Sequence, residues 1–146
     1  MAQTKMNKTG TRIFTGLHGA VYKLTKGRVG GKMSGGQILV LGTTGRNSGK
    51  KRERPLIGMD HPDGWVIIAS YSGHDEHPGW YHNLMADPKA TVQIGGDVNQ
   101  ATARTTSGDE RAELWEKMVE IYPDYGEYQA VTDREIPVLV LERQGG

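Results

Sequence analysis

A dense group of basic residues near the middle of the sequence offers the clearest chemistry. Between positions 46 and 54, five of nine residues are Lys or Arg, and they overlap the turn-forming run 44–49. Side chains alternate on an extended strand, so Lys50, Arg52 and Arg54 are predicted to project to one face. Backbone N–H groups of the turn beside converging guanidinium groups would form a receptor for phosphate or carboxylate. The alternatives are a solvated, charged hairpin and a nucleic-acid site. The lack of interleaved aromatic residues counts against the nucleic-acid site.

Two other segments have residue types that suit a flat, aromatic molecule. An apolar run ends in Ala69 and Ser70, whose small side chains would let a ring approach the backbone while Ser70 bonds its polar edge. The tyrosines Tyr122, Tyr125 and Tyr128 could stack on an aromatic acceptor and donate a proton. Each segment also has an ordinary structural interpretation. The apolar run could be a buried strand that leads into a turn, and the tyrosines could simply pack against a barrel.

The remaining polar residues do not form a recognisable hydrolytic or metal site. His74, His77 and His82 have acidic neighbours, but their spacing matches no metal-binding helix and Pro78-Gly79 interrupts the segment. The chain has neither a nucleophile elbow nor a P-loop. An anion receptor, a small-residue strand and tyrosines without a nucleophile suit an enzyme whose difficult chemistry belongs to a cofactor.

Composition narrows the class of protein. The 146 residues suit one domain, and a formal charge of +1 is too small for a surface that binds nucleic acid everywhere. The absence of cysteine excludes disulfides, thiolate clusters and a cysteine nucleophile, and it fits a reducing compartment. No apolar segment is long enough for a signal peptide or a membrane span, so the cytoplasm is the expected location.

The pattern of apolar residues predicts a mainly antiparallel α+β fold. Six short strands are predicted at Ile38–Leu41, Arg52–Met59, Trp65–Tyr71, Thr91–Ile94, Val98–Thr105 and Ile136–Glu142. Their short, turn-rich connections join antiparallel neighbours and favour a small barrel or sandwich. Helices are predicted at 78–85 and 109–122, the second beginning with a capping box of Ser107 and Glu110.

The first 36 residues form a separate segment in this prediction. Apolar residues recur at helical spacing over residues 6–25 and are flanked by lysines and Arg12. Such a helix would pack across a barrel mouth, or lie on a membrane surface through its basic flanks. The glycine-rich link 27–36 would then lead into the barrel, which gives a division into residues 1–36 and 37–146.

Taken in order, segments between residues 37 and 142 resemble the deazaflavin-dependent nitroreductase and quinone reductase family of actinobacteria, whose members use reduced coenzyme F420. The resemblance rests on Thr43–Gly49, Arg52, Pro55-Leu56, Ala69-Ser70, Pro78, Trp80-Tyr81, Asn83-Leu84, Asp87-Pro88, Glu110–Ala112, Tyr122-Pro123, Tyr125, Tyr128, Thr132–Arg134 and Ile136-Pro137. No single piece is decisive, but their order and spacing together are fairly specific.

This resemblance implies a split β-barrel like that of FMN-binding reductases, and hydride transfer from coenzyme F420 to a small acceptor. It implies that the acidic coenzyme tail is held by Arg46, Asn47, Ser48, Gly49, Lys50 and Arg52. It implies that the rest of the coenzyme is framed by Pro55, Leu56, Ala69, Ser70, Tyr71, Trp80, Tyr81 and Asn83. The substrate side would be lined by Ile57, Tyr122, Tyr125 and Tyr128. Ser70 and Tyr125 are the candidates for polarising or protonating the acceptor.

Departures from the family pattern bear on the acceptor. Ile57 stands where the prodrug-activating nitroreductase has a tyrosine, and Val131 replaces an aromatic residue. Asn47 and Tyr71 stand where basic residues would bind the coenzyme. We therefore expect a quinone such as menaquinone rather than a nitroimidazole. An FMN-dependent reductase on the same fold and a non-enzymatic polyanion-binding barrel remain alternatives, as do a monomer and a homodimer.

Overall fold

The computed structural model describes residues 36–145, and six strands of this part close into an antiparallel barrel. The strands are β1 (Gly36–Thr44), β2 (Lys51–His61), β3 (Gly64–Ile68), β4 (Lys89–Ile94), β5 (Asp97–Thr105) and β6 (Val138–Arg143). Around the barrel their order is β1, β2, β3, β6, β5, β4, and β4 pairs with β1 to close it.

Helices occupy two of the connections between strands. A 3-10 turn (Tyr71–Gly73) and helix α1 (Gly79–Ala86) lie between β3 and β4. Helices α2 (Gly108–Ile121) and α3 (Asp124–Ala130) lie between β5 and β6. None of the helices in residues 36–145 is long and apolar enough to cross a membrane.

Side chains that alternate along the strands pack into two separate cores. In β3 every residue is buried, because Trp65 and Ile67 point into the barrel while Val66 and Ile68 lie under α2 and α3. The interior core also receives Trp80 and Leu84 from α1. The outer core receives the apolar faces of α2 and α3. Strand β3 is therefore apolar along its length because both of its faces are buried.

The strand directions bring the predicted coenzyme segments to one end of the barrel. β1 ends and β2 begins at this end, β3 ends there, and β4 begins there. The β1–β2 turn, the segment after Ile68 and helix α1 therefore meet at what we call the α1 end. Helix α1 contacts both other segments: Asn83 binds Arg46 of the turn, and Trp80 shares the interior core with Ala69.

The structure confirms the six predicted strands and both predicted helices, although several strand ends differ by two or three residues, as at the end of β1 (Thr44) and the start of β6 (Val138). β3 ends at Ile68, three residues before the predicted end at Tyr71. Tyr71 (φ 47°) and Ser72 (φ 53°) take left-handed backbone conformations, which no strand can contain. This left-handed turn could not be read from an apolar run that continues toward Tyr71.

Two further local features differ from the sequence prediction. The capping box is wrong: Ser107 occupies the N-cap of α2 without a side-chain cap, and Glu110 binds Arg104 instead, at 2.8 Å. Helix α3 was not predicted, although it carries Tyr125 and Tyr128. The predicted helix over residues 6–25 and the link 27–35 lie outside the described residues, whereas Gly36 begins β1.

Candidate functional site

The turn between β1 and β2 is held largely by its own hydrogen bonds. The N–H of Gly45 donates to Lys50 O at 2.7 Å, and the N–H of Gly49 donates to Gly45 O at 2.8 Å. The Lys50 N–H donates to Ser48 Oγ at 3.1 Å. Within the described residues this leaves the N–H groups of Asn47 and Ser48 without an acceptor. The predicted anion receptor therefore has two free backbone donors, those of Asn47 and Ser48.

Asn83 on α1 fixes the start of this turn. Its Oδ1 accepts hydrogen bonds from the Arg46 N–H at 3.1 Å and from Arg46 Nη1 at 2.8 Å. Its Nδ2 donates to Thr43 Oγ1 at 3.1 Å, and both Asn83 and Thr43 are buried. Since these bonds occupy both polar atoms of Asn83, its role in the structure is to orient Arg46. Arg46 Nη1 also donates to Gly79 O at 3.3 Å, and within the described residues Nε and Nη2 have no hydrogen-bond acceptor.

Three cations of the turn are not neutralised within the described part of the chain. No ion pair among residues 36–145 involves Arg46, Lys50 or Arg52. Lys51 pairs with Glu53 at 3.5 Å on the other face of β2. Pairing of Thr43 with Arg52 and of Leu41 with Arg54 places both arginines on the same face of β2, as predicted, while Lys50 lies in the turn. Unpaired cations around a tight turn suit a multiply charged anion.

The segment after β3 lies at the same end of the barrel as this turn. Ala69 is fully buried and its N–H donates to Pro137 O at 3.0 Å, whereas Ser70 and Tyr71 are half-buried. The other predicted framing residues are partly or wholly buried around them. Pro55, Leu56 and Tyr81 are half-buried, and Trp80 belongs to the interior core.

Arg134 is a residue whose role in this site the sequence did not indicate. Its guanidinium donates to three backbone carbonyls of the 69–77 segment: Ala69 at 3.1 Å, Ser70 at 2.7 Å and His74 at 2.8 Å. Thr132 beside it donates to Asp75 Oδ1 at 3.0 Å. The Thr132–Arg134 segment was part of the family resemblance, but no local pattern assigns it a partner more than fifty residues away.

The three tyrosines form one cluster on the outer side of the barrel. The rings of Tyr122 and Tyr125 lie 5.1 Å apart, and Tyr128 lies within 6.4 Å of both. Burial raises the pKa of Tyr125 and of Tyr122 well above that of a free phenol, and a hydrogen bond with Tyr128 adds to the effect at Tyr122. Both phenols are thus protonated at neutral pH.

Ile57 is not accessible in this structure. It is only 1% exposed and packs in the outer core together with Tyr122 and Tyr125. Its predicted contact with substrate remains a prediction, and it requires a movement of the helices that cover it. The structure places Ile57 beside the tyrosines, as the substrate-side grouping expected, but on the opposite face of β2 from Arg52 and Arg54.

The histidines near α1 form an aromatic group. His77 lies 4.5 Å from the Tyr81 ring and 5.7 Å from the His82 ring. Burial, and then the positive Arg134, lower the pKa of His77. Among residues 36–145, no three His, Asp or Glu side chains are grouped as metal ligands.

Comparison with known proteins identifies the family. The family model described as F420H(2)-dependent quinone reductase matches residues 15–143. This chain belongs to that family. An F420H(2)-dependent quinone reductase of Mycobacterium tuberculosis is 36% identical over 132 residues, covering 88% of this chain and 89% of the relative. A solved F420-H2 dependent reductase is 45% identical with a TM-score of 0.65, covering 72% of this chain and 93% of that chain. A structure described as a domain-swapped dimer is 40% identical with a TM-score of 0.66, covering 84% and 92%.

Membership in the F420H(2)-dependent quinone reductase family decides between the F420-dependent reductase and the two alternatives, an FMN-dependent reductase and a non-enzymatic polyanion-binding barrel. The chain is an oxidoreductase whose cofactor is coenzyme F420, and it transfers hydride from the reduced coenzyme to a quinone. The antiparallel barrel agrees with the predicted split-barrel fold.

Proposed function

We propose that coenzyme F420 binds at the α1 end of the barrel, with its acidic tail on the β1–β2 turn and its ring against Ala69–Tyr71. One observation carries this proposal: unpaired cations and unpaired backbone N–H donors occur together at this end. A ring edge with hydrogen-bond acceptors and a negatively charged tail require these two kinds of group.

On the tail side, the turn supplies both charge and direction. Arg52 and Lys50 offer cationic groups, while Asn47 and Ser48 offer their free N–H groups. Gly49 has a φ of 72°, a backbone conformation that favours glycine and keeps the turn tight. Arg46 is oriented toward this site by Asn83, so Asn83 acts through Arg46 rather than by touching the coenzyme.

On the ring side, small and flat side chains surround the proposed ring position at the α1 end. Ala69 and Ser70 leave room for a ring, and Pro55 and Leu56 on β2 bound one side of it. Trp80 and Tyr81 cover the barrel end from α1. Tyr71 lies at the left-handed turn of the segment after β3.

When it is bound in its reduced form, the coenzyme supplies the hydride. The chain's own contribution is to hold donor and acceptor in reacting geometry and to exclude water. The Tyr125 phenol and the Ser70 hydroxyl are proposed to donate hydrogen bonds to the acceptor oxygen. The Tyr125 phenol is protonated at neutral pH, so it can donate to the acceptor once the helices that cover it move.

The acceptor that we propose is an isoprenoid quinone of the menaquinone class. Val131, and Ile57 once the helices over it move, would form an apolar substrate wall without additional hydroxyl groups. A cytoplasmic enzyme that meets a membrane quinone must reach the bilayer surface. The predicted amphipathic helix over residues 6–25 would provide that contact.

Of the two oligomeric states that the sequence left open, we favour the homodimer. The support is the 40% identical structure that is described as a domain-swapped dimer. Light scattering of the purified chain measures its mass directly, and a monomer at working concentration would contradict this part of the proposal.

The tail site is tested by the Arg52→Ala variant. Oxidised coenzyme F420 is titrated against the wild-type chain and the variant, and binding is followed by coenzyme fluorescence. Loss of a charge-assisted hydrogen bond at an exposed site should weaken binding roughly tenfold, which corresponds to about 1.4 kcal/mol. The difference should shrink as salt is raised, since exposed charges are screened.

The matched control is Lys51→Ala, which removes a neighbouring cation from the opposite face of β2. Lys51 already pairs with Glu53, so its loss should leave coenzyme affinity within about twofold. Equal losses in both variants would mean that only the net charge of the hairpin matters. No binding by the wild-type chain at micromolar concentration would contradict the proposed site as a whole.

A further inference from the structure

We propose that Arg134 is a positioning residue that aims two backbone N–H groups, those of Ser70 and Tyr71, at an oxygen acceptor of the bound coenzyme. The inference rests on the proposed function, because it assumes that the ring lies against Ala69–Tyr71. Arg134 lies in the loop before β6, and the proposed function gives it no role.

The geometry of the peptide units carries the argument. Arg134 Nη1 donates to Ala69 O at 3.1 Å, and Arg134 Nη2 donates to Ser70 O at 2.7 Å. The described residues contain no cis peptide, so each amide N–H points away from the carbonyl of its own peptide unit. With both carbonyls turned toward Arg134, the N–H groups of Ser70 and Tyr71 point away from it.

Neither N–H has a partner within residues 36–145. The backbone hydrogen bonds near this point run from Ala69 N to Pro137 O, from Gly73 N to Ser70 O and from His74 N to Tyr71 O. Both Ser70 and Tyr71 are half-buried. These N–H groups have no protein acceptor, so a bound oxygen that shields them from water would also supply their hydrogen bond.

Backbone conformation adds a second reason to expect an oxygen ligand. Ser70 is right-handed (φ −75°, ψ −38°), and Tyr71 is left-handed (φ 47°). Successive N–H groups in such an alternation form a concave nest that binds negatively charged or polarised oxygen. Two non-glycine residues in the left-handed region are strained, and strain of this kind persists only where the surroundings fix it.

The remaining Arg134 contacts show how it fixes the segment. Its Nε donates to His74 O at 2.8 Å, beyond the strained turn. Its Nη1 lies 3.0 Å from His77 Nδ1, and since a guanidinium only donates, that nitrogen accepts. One planar cation thus joins both ends of the turn, which a lysine with its single nitrogen cannot reproduce.

The first measurement uses the wild-type chain and keeps the inference testable even where variants fold poorly. Amide signals of isotopically labelled protein are followed while oxidised coenzyme F420 is added. The Ser70 and Tyr71 amides should be among those that shift most. If coenzyme binds and other amides move while these two stay in place, the inference is wrong. If no coenzyme binds, the proposed function fails instead.

The second measurement compares Arg134→Lys with Arg111→Lys. Arg111 on α2 also donates to a backbone carbonyl, that of Ile136 at 2.7 Å, so it is a matched structural control. Arg134→Lys should raise the coenzyme dissociation constant about tenfold and lower kcat with menadione, whereas Arg111→Lys should change neither. Arg134→Ala should regain coenzyme affinity when guanidinium ion is added at millimolar concentration. A folded Arg134→Lys chain with wild-type affinity and kcat would overturn the inference.

Discussion

Tyr125 is the candidate catalytic side chain whose surroundings restrict its chemistry most. It is 5% exposed, and its ring lies 5.1 Å from Tyr122 and 6.5 Å from Trp115. Burial raises the pKa of its phenol well above the ordinary value near 10. The phenol is therefore protonated throughout the neutral range and can donate a hydrogen bond to an acceptor that gains negative charge during reduction.

Substitution of Tyr125 by Phe tests this role. We expect kcat with menadione to fall about tenfold or more, because the variant loses a hydrogen bond that strengthens as the acceptor is reduced. The coenzyme dissociation constant should not change. Stopped-flow measurement of coenzyme oxidation separates the hydride step from product release.

The pH profile of the same pair gives an independent check. A raised pKa means that the folded protein keeps the Tyr125 proton to a higher pH than a free phenol would. The ratio of wild-type to variant kcat should therefore stay constant from neutral pH to about pH 10. A variant that keeps full kcat removes Tyr125 from the mechanism.

At the scale of elements, the strained turn Tyr71–Gly73 joins the proposed ring site to the tyrosine helix. Gly73 has a φ of 81°, and a Cβ placed there would lie 2.6 Å from Val131 Cγ2 and 3.1 Å from Tyr128 O. The turn therefore lies directly against the end of α3. Arg134 also binds this segment, through the carbonyl oxygens of Ala69, Ser70 and His74.

Gly73→Ala should cost more stability than a left-handed glycine normally does. We expect a loss of about 2–3 kcal/mol, because the methyl group adds a clash with Val131 to the backbone strain. Gly95→Ala is the matched control: it also has a positive φ (59°), but no atom lies within 4 Å of its Cβ position, so about 1 kcal/mol is expected. Urea unfolding measures both values, and equal losses would show that α3 yields freely.

At the scale of the whole molecule, coenzyme binding is proposed for the described barrel, whereas membrane contact is predicted for residues 6–25. The barrel carries both cores and the proposed coenzyme site. The predicted helix over residues 6–25 lies outside the described residues, and its suggested contact with a bilayer stays a prediction. Reduction of a water-soluble quinone and association with a membrane should therefore be separable.

Replacing Ile13, Leu17 and Leu24 by serine tests the predicted membrane contact. The apolar stripe is lost, so binding to vesicles that contain anionic lipid should fall while menadione reduction is retained. Sedimentation with vesicles measures the first property and coenzyme absorbance the second. Failure of the unaltered chain to sediment with such vesicles would reject a membrane role.

The sequence by itself determined the strands, the basic turn and, through the family resemblance, the coenzyme. Strand periodicity and turn residues act over a few neighbouring positions, so they can be read without knowing the fold. The same locality explains the errors. Glu110 pairs with Arg104 rather than capping α2, and the left-handed Tyr71 follows an apolar run that looks like continuous strand.

Only the tertiary structure decided which side chains are free to act. Asn83 is occupied in orienting Arg46, 37 residues earlier, and Arg134 holds the carbonyl of Ser70 from 64 residues away. Ile57 lies in the outer core rather than at an open surface. Barrel closure produces these contacts by bringing distant strand ends to one place, and no local pattern records which donors and acceptors meet there.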